Sequence, residues 1–110
     1  MSPEDRFEAL VADFADVPDV MPPGSGAGSG FGSHALRYRR KIFAMFVRGQ
    51  LVVKLPGVRV DALVDAGEGV RFDANKGTPM KEWFALGTDS GLGWRPLAAE
   101  ALEFAGGPEA

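Results

Sequence analysis

Residues 41–55 read KIFAMFVRGQLVVKL. Two apolar runs are separated by Arg48-Gly49-Gln50, the length and composition of a β-hairpin. Val, Ile and Phe occupy both alternating sets of positions in the first run. The strand over 41–47 is therefore predicted to be covered on both faces and central in a sheet.

Upstream of this hairpin a short strand is predicted over 35–38, with Arg39-Arg40 at the turn. Downstream, the strand over 50–55 stops at Pro56-Gly57. A helix follows over 58–66, with Val60, Leu63 and Val64 inward and Gly67 just past its end. Residues 70–72 suit a short strand, and 73–79, DANKGTP, have turn chemistry. A further strand covers 81–86 and a loop 88–93. The last helix spans 95–105, with Leu97, Ala101 and Phe104 inward and Gly106 beyond it.

The N-terminal helix is signalled by Ser2 as cap, Pro3 in the first turn and Asp5 where a capping box wants an acid. Phe7, Leu10, Val11 and Phe14 then form one apolar stripe, and Pro18 ends any continuation. The order is α-β-β-β-α-β-β-α. Short links between strands imply a two-layer α+β domain, an antiparallel sheet of about five strands with helices on one face.

The 110 residues suit a single domain over 1–110: an N-terminal helix (1–17), a glycine-rich flexible linker (21–33), and the sheet and helices (34–105). There is no cysteine, which excludes disulfides, thiolate zinc sites and cysteine nucleophiles and fits a cytoplasmic location. No signal peptide or membrane span is expected. The net charge of −3 is blocky. Residues 1–34 carry one base and six acids, 35–60 seven bases and no acid, and 61–110 four bases and nine acids. Opposite charges meeting within the fold explain much of this. The basic block is also the one candidate for contact with nucleic acid or another anion.

No motif for catalysis, a cofactor or a metal emerges. The glycines at 24, 26, 28 and 30 lack G-x-G-x-x-G spacing and no P-loop lysine follows them. His34 is the sole histidine, too little for a zinc site or a catalytic triad. Asp61 and Asp65 share the solvated face of a helix, and Glu68, Asp73 and Glu82 show no pairing pattern. The D-x-N-x-G order of residues 73–77 lacks the later calcium ligands. Trp83, Phe84 and Trp94 read as core or rim aromatics. The basic residues Arg37, Arg39, Arg40, Lys41 and Arg48 gather at strand ends and turns, from which long side chains reach phosphates. Phe43, Met45 and Val47 share a parity opposite to Ile42, Ala44 and Phe46. If helices cover one face only, one of these sets needs another cover, from the N-terminal helix, a partner or self-association.

Several short stretches together carry a family resemblance: Lys41-Ile42-Phe43-Ala44, Leu51-Val52-Val53-Lys54-Leu55-Pro56, Gly67-Glu68-Gly69 with Phe72, and Pro79-Met80-Lys81-Glu82-Trp83. In their order and spacing, residues 31–86 resemble the TfoX/Sxy N-terminal domain and the MmcQ/YjbR-like proteins of bacteria. The resemblance implies an α+β fold with helices on one side and no established catalytic residue. TfoX/Sxy proteins regulate natural competence, and YjbR-like proteins have been proposed to bind DNA. No second, C-terminal domain like that of the full-length competence regulators is expected here. Arg39-Arg40 stand where the family has a glycine-containing or acidic turn. The resulting expectation is a non-enzymatic regulatory or interaction module without cofactor, monomeric or dimeric, binding a protein partner or, weakly, DNA. The alternative is a small-ligand-binding protein or enzyme with a pocket between sheet and helices.

Overall fold

The computed structural model describes residues 2–21, 35–73 and 81–107. Along the chain lie α1 (Pro3–Asp13), β1 (Val20–Met21), β2 (Ala35–Tyr38), β3 (Lys41–Val47) and β4 (Gln50–Lys54). They are followed by α2 (Gly57–Asp65), β5 (Gly69–Arg71), β6 (Trp83–Leu86) and α3 (Trp94–Phe104). The strands form one sheet in the order β1-β2-β3-β4-β6-β5, and every neighbouring pair is antiparallel. This is the expected α+β architecture, with the two-residue β1 added at one edge. No helix among the described residues is long and apolar enough to cross a membrane.

Local chemistry sets the ends of the elements. The Asp5 N–H donates to the Ser2 hydroxyl at 3.1 Å, capping α1. Gly67 and Gly106 take positive φ just past α2 and α3. There the Glu68 N–H reaches the Leu63 carbonyl and the Gly107 N–H reaches the Leu102 carbonyl, so both helices close in Schellman motifs. Both hairpins use two-residue turns with positive φ at each position: 49° and 76° at Arg39-Arg40, 51° and 79° at Arg48-Gly49. These are type I′ turns, whose twist matches that of the strands.

A bulge in β3 decides which side chains face which layer. Leu36 lies opposite Ala44 but Arg37 lies opposite Ile42, which leaves Phe43 without a partner on β2. The extra residue resets the alternation. The grouping of Phe43, Met45 and Val47 on one face is thereby corrected. Phe43 is fully buried and joins Ala44 and Phe46 beneath the helices, while Ile42 joins Met45 and Val47 on the opposite face.

All three helices contribute to the first layer. Phe7 of α1 stacks on Phe46 with ring centroids 5.4 Å apart, and Phe14 meets Phe43 edge-on at 6.0 Å. From α3 come Trp94, Leu97, Ala98, Ala101 and Leu102. This i, i+3, i+4, i+7, i+8 stripe turns Phe104 outward, against expectation, and leaves it 40% exposed. Helices α2 and α3 are tied by Arg59, which donates to both carboxylate oxygens of Glu100 at 2.9 and 3.2 Å. Those hydrogen bonds raise the proton affinity of Arg59 above its ordinary value, against a smaller opposing effect of burial. Both side chains are about two-fifths exposed, so the pair contributes at most about 1 kcal/mol.

On the helix-free face Ala35, Met45, Val52, Phe72 and Ala85 form a second, smaller apolar cluster, with Ile42, Val47 and Trp83 at its margin. Phe72 lies one residue past β5, and its N–H donates to the Trp83 carbonyl at 2.8 Å. The next residue, Asp73, accepts from Arg48 of the β3–β4 turn at 3.3 Å. The chain leaving β5 therefore lies against this face, and Phe72 supplies part of the cover the sequence called for. His34, residues 22–33 of the expected linker and residues 74–80 of the DANKGTP turn lie outside the described residues.

Gly69 is fixed by contact. A Cβ there would sit 2.2 Å from the Ala85 carbonyl oxygen and 2.6 Å from Cζ of Phe84. Gly69→Ala must force β5 away from β6, at a cost of about 1–3 kcal/mol in urea unfolding. Phe72→Ala is expected to cost about 3 kcal/mol or more, as for a core phenylalanine, although Phe72 lies outside any strand. A loss below about 1 kcal/mol would show that the second cluster is not a core.

Candidate functional site

The antiparallel order brings one end of the sheet together from distant parts of the chain. The end of β2, the Arg39-Arg40 turn and the start of β3 lie beside the end of β4, at Lys54, and the start of β6, at Trp83. Lys41, Lys54, Lys81 and Arg40 all fall on this basic end. Arg48 does not. It belongs to the turn at the other end of β3, roughly 25 Å away at strand spacing. Arg37 does not either. It shares the helix-free face with Ala35, and one terminal nitrogen of its guanidinium is buried without a hydrogen-bond partner. The five-residue basic set read from the sequence is thus split by the fold.

At the basic end the cations differ in their commitments. The Arg39 Nε donates to Asp19 at 3.0 Å, and its guanidinium lies 5.2 Å from the Tyr38 ring centroid. The hydrogen bond to Asp19 is the chief reason its proton affinity is raised. Arg39 is therefore a structural clasp between β1 and the turn. The Lys54 ammonium sits 5.9 Å from the Trp83 ring centroid. Arg40 and Lys41 are exposed, and neither has an ion-pair partner among the described residues.

Arg40 also carries backbone strain. Its φ of 76° matches that of Gly49 in the sister turn, but Arg40 has a Cβ and pays for the left-handed conformation with roughly 1 kcal/mol. Asn-Gly is the pair this turn type prefers. Arg39 and Arg48, the first residues of the two turns, also take positive φ, at 49° and 51°.

Beside the turn lies a notch of about 250 Å³. The β3–β4 pairing ends at Ala44–Val53, next to the bulge, so the start of β3 and the end of β4 diverge. Lys41 and Ile42 line one wall, Lys54 and Glu82 another, and the last turn of α3 a third, through Ala101, Phe104 and Ala105. The sequence reading counted Lys54 in the basic block, weighed Glu82 only for carboxylate pairing and turned Phe104 inward, so it did not bring the three together. No local pattern shows what lies across from the end of β4.

The remaining candidates separate. Phe43 is fully buried and Met45 nearly so, and they offer a partner no surface; Val47 is half-buried at the hairpin end. Asp61 and Asp65 are exposed, with Asp61 paired to Arg71, and Glu68 accepts from the Ser90 hydroxyl at 2.7 Å. Among the described residues no charged side chain is buried, and no three acids or histidines gather as metal ligands. A second hollow, between α1 and α3, is filled by structural contacts. Arg6 lies 4.4 Å from the Trp94 ring centroid, and Arg95 lies 3.9 Å from Asp13.

In comparison with known proteins the chain matches no family model, no curated protein and no solved structure. The basic end must therefore be judged on its own geometry. Arg40→Gly should raise stability by roughly 1 kcal/mol, a gain of several degrees in Tm, by removing the strained Cβ. An unchanged or lower Tm would mean that Arg40 makes a stabilising contact.

Proposed function

We propose that the chain is a small non-enzymatic interaction module that contacts nucleic-acid phosphates through the basic end of its sheet. The observation that carries this reading is Arg40, exposed, unpaired among the described residues and held in a strained turn beside Lys41 and Lys54. Flexible cations at a hairpin tip reach backbone phosphates without needing a base sequence. The resemblance to TfoX N-terminal and YjbR-like proteins, some of which have been proposed to bind DNA, points the same way.

Three phosphate contacts, by Arg40, Lys41 and Lys54, give a slope of about −2.7 in log affinity against log salt. Affinity then falls roughly 40-fold between ~50 and ~200 mM salt. Such binding is weak and mostly electrostatic, suited to a module that acts alongside a stronger anchor.

An electrophoretic shift at low salt provides the test. Wild type should retard DNA at tens of micromolar protein, and Arg40→Glu with Lys41→Glu should abolish the shift. Arg40→Gly should reduce the salt slope by about 0.9 while the fold gains stability. No retardation by wild type at low salt would remove the proposal.

A further inference from the structure

We infer that the notch beside the Arg39-Arg40 turn receives an unpaired nucleobase, with the phosphates of the same strand on Lys41 and Lys54. The inference rests on the function proposed above and adds what kind of nucleic acid is bound. Three observations carry it.

The first is size. At about 250 Å³ the notch falls below the ~300 Å³ at which pockets for drug-sized ligands begin, and so suits a single flat ring system. The second is the walls. Phe104 is 40% exposed on a helix whose other large apolar residues are buried, and it lines the notch together with Ile42. A partly exposed aromatic side chain beside cations is the arrangement on which unpaired bases stack, whatever their sequence. The third is the polar inventory. Two ammonium groups stand at the notch against one carboxylate, Glu82. The lysines attract the phosphates flanking the base. The carboxylate accepts hydrogen bonds only, so it favours bases that present an exocyclic amino group, cytosine, adenine and guanine, over thymine, which offers only its N3–H between two carbonyls.

A paired base cannot enter, because in a duplex its faces are stacked and its pairing edge is occupied. The notch therefore makes the basic end selective for single strands, which phosphate contacts alone do not.

Fluorescence anisotropy at low salt tests this with labelled oligodeoxycytidylate, oligodeoxythymidylate of equal length, and the cytidylate strand annealed to its complement. Wild type should bind the cytidylate strand more tightly than either other probe. Phe104→Ala should weaken cytidylate binding roughly five-fold or more and leave the duplex unaffected. Phe104 is 40% exposed and stands outside the buried stripe of α3, and an unchanged Tm of the variant confirms its fold. Glu82→Gln, which adds a donor, should narrow the preference for cytidylate over thymidylate. Equal affinity for strand and duplex, or no effect of Phe104→Ala, overturns the inference while the phosphate-contact function stands. Failure of wild type to bind any probe overturns both. Free deoxycytidine monophosphate competing as well as the strand would assign the notch to mononucleotides and overturn the role of the neighbouring phosphates.

Discussion

Strand β3 has to be kept dry on two faces at once, and the rest of the structure follows from that demand. Its run of large apolar residues leaves no face that water can cover without cost. On one side α1 and α3 meet the requirement, with Phe7 and Phe14 set against Phe46 and Phe43. On the other side no helix of the described residues packs, and Phe72 joins Met45 and Val52 in one cluster. The two covers are unequal. Among the described residues the helix-side cluster holds most of the large buried side chains, and the other cluster is much smaller. The bulge at Phe43 permits this division, since it places the bulkier Phe43 and Phe46 together on the thicker side.

The same bulge shapes the surface proposed to act. By bending β3 away from β4 it ends their pairing early and opens the notch at the sheet end. Lys41 and Lys54 flank a gap that an unbroken ladder would have closed. Packing and surface chemistry are thus coupled through one unpaired residue, although Phe43 itself touches no solvent.

Much of the fold was legible in the sequence. Ser2, Pro3 and the stripe from Phe7 to Phe14 located α1, Gly67 and Gly106 located two helix ends, and both hairpin turns fell where the apolar runs broke. What escaped was non-local. Nothing in KIFAMFV marks a bulge, because it depends on the register of β2 against β3. The strand β1 is two residues long and is held by Asp19 reaching Arg39, a contact across twenty positions. Phe104 was misplaced because Leu97, Ala101 and Phe104 fit a helical period as well as the stripe that includes Ala98 and Leu102. The basic residues were recognised as a set, but only strand order reveals that Arg48 belongs to the opposite end and that Lys54 replaces it.

The two hairpins share a turn geometry but not its chemistry, and this bears on how the chain first acquires order. A glycine at the second turn position visits the left-handed region freely, so the loop at Arg48-Gly49 closes often in an unfolded chain. At Arg39-Arg40 both residues resist that region, and the loop closes seldom. On turn chemistry alone, closing the β3–β4 loop costs less backbone energy than closing the β2–β3 loop.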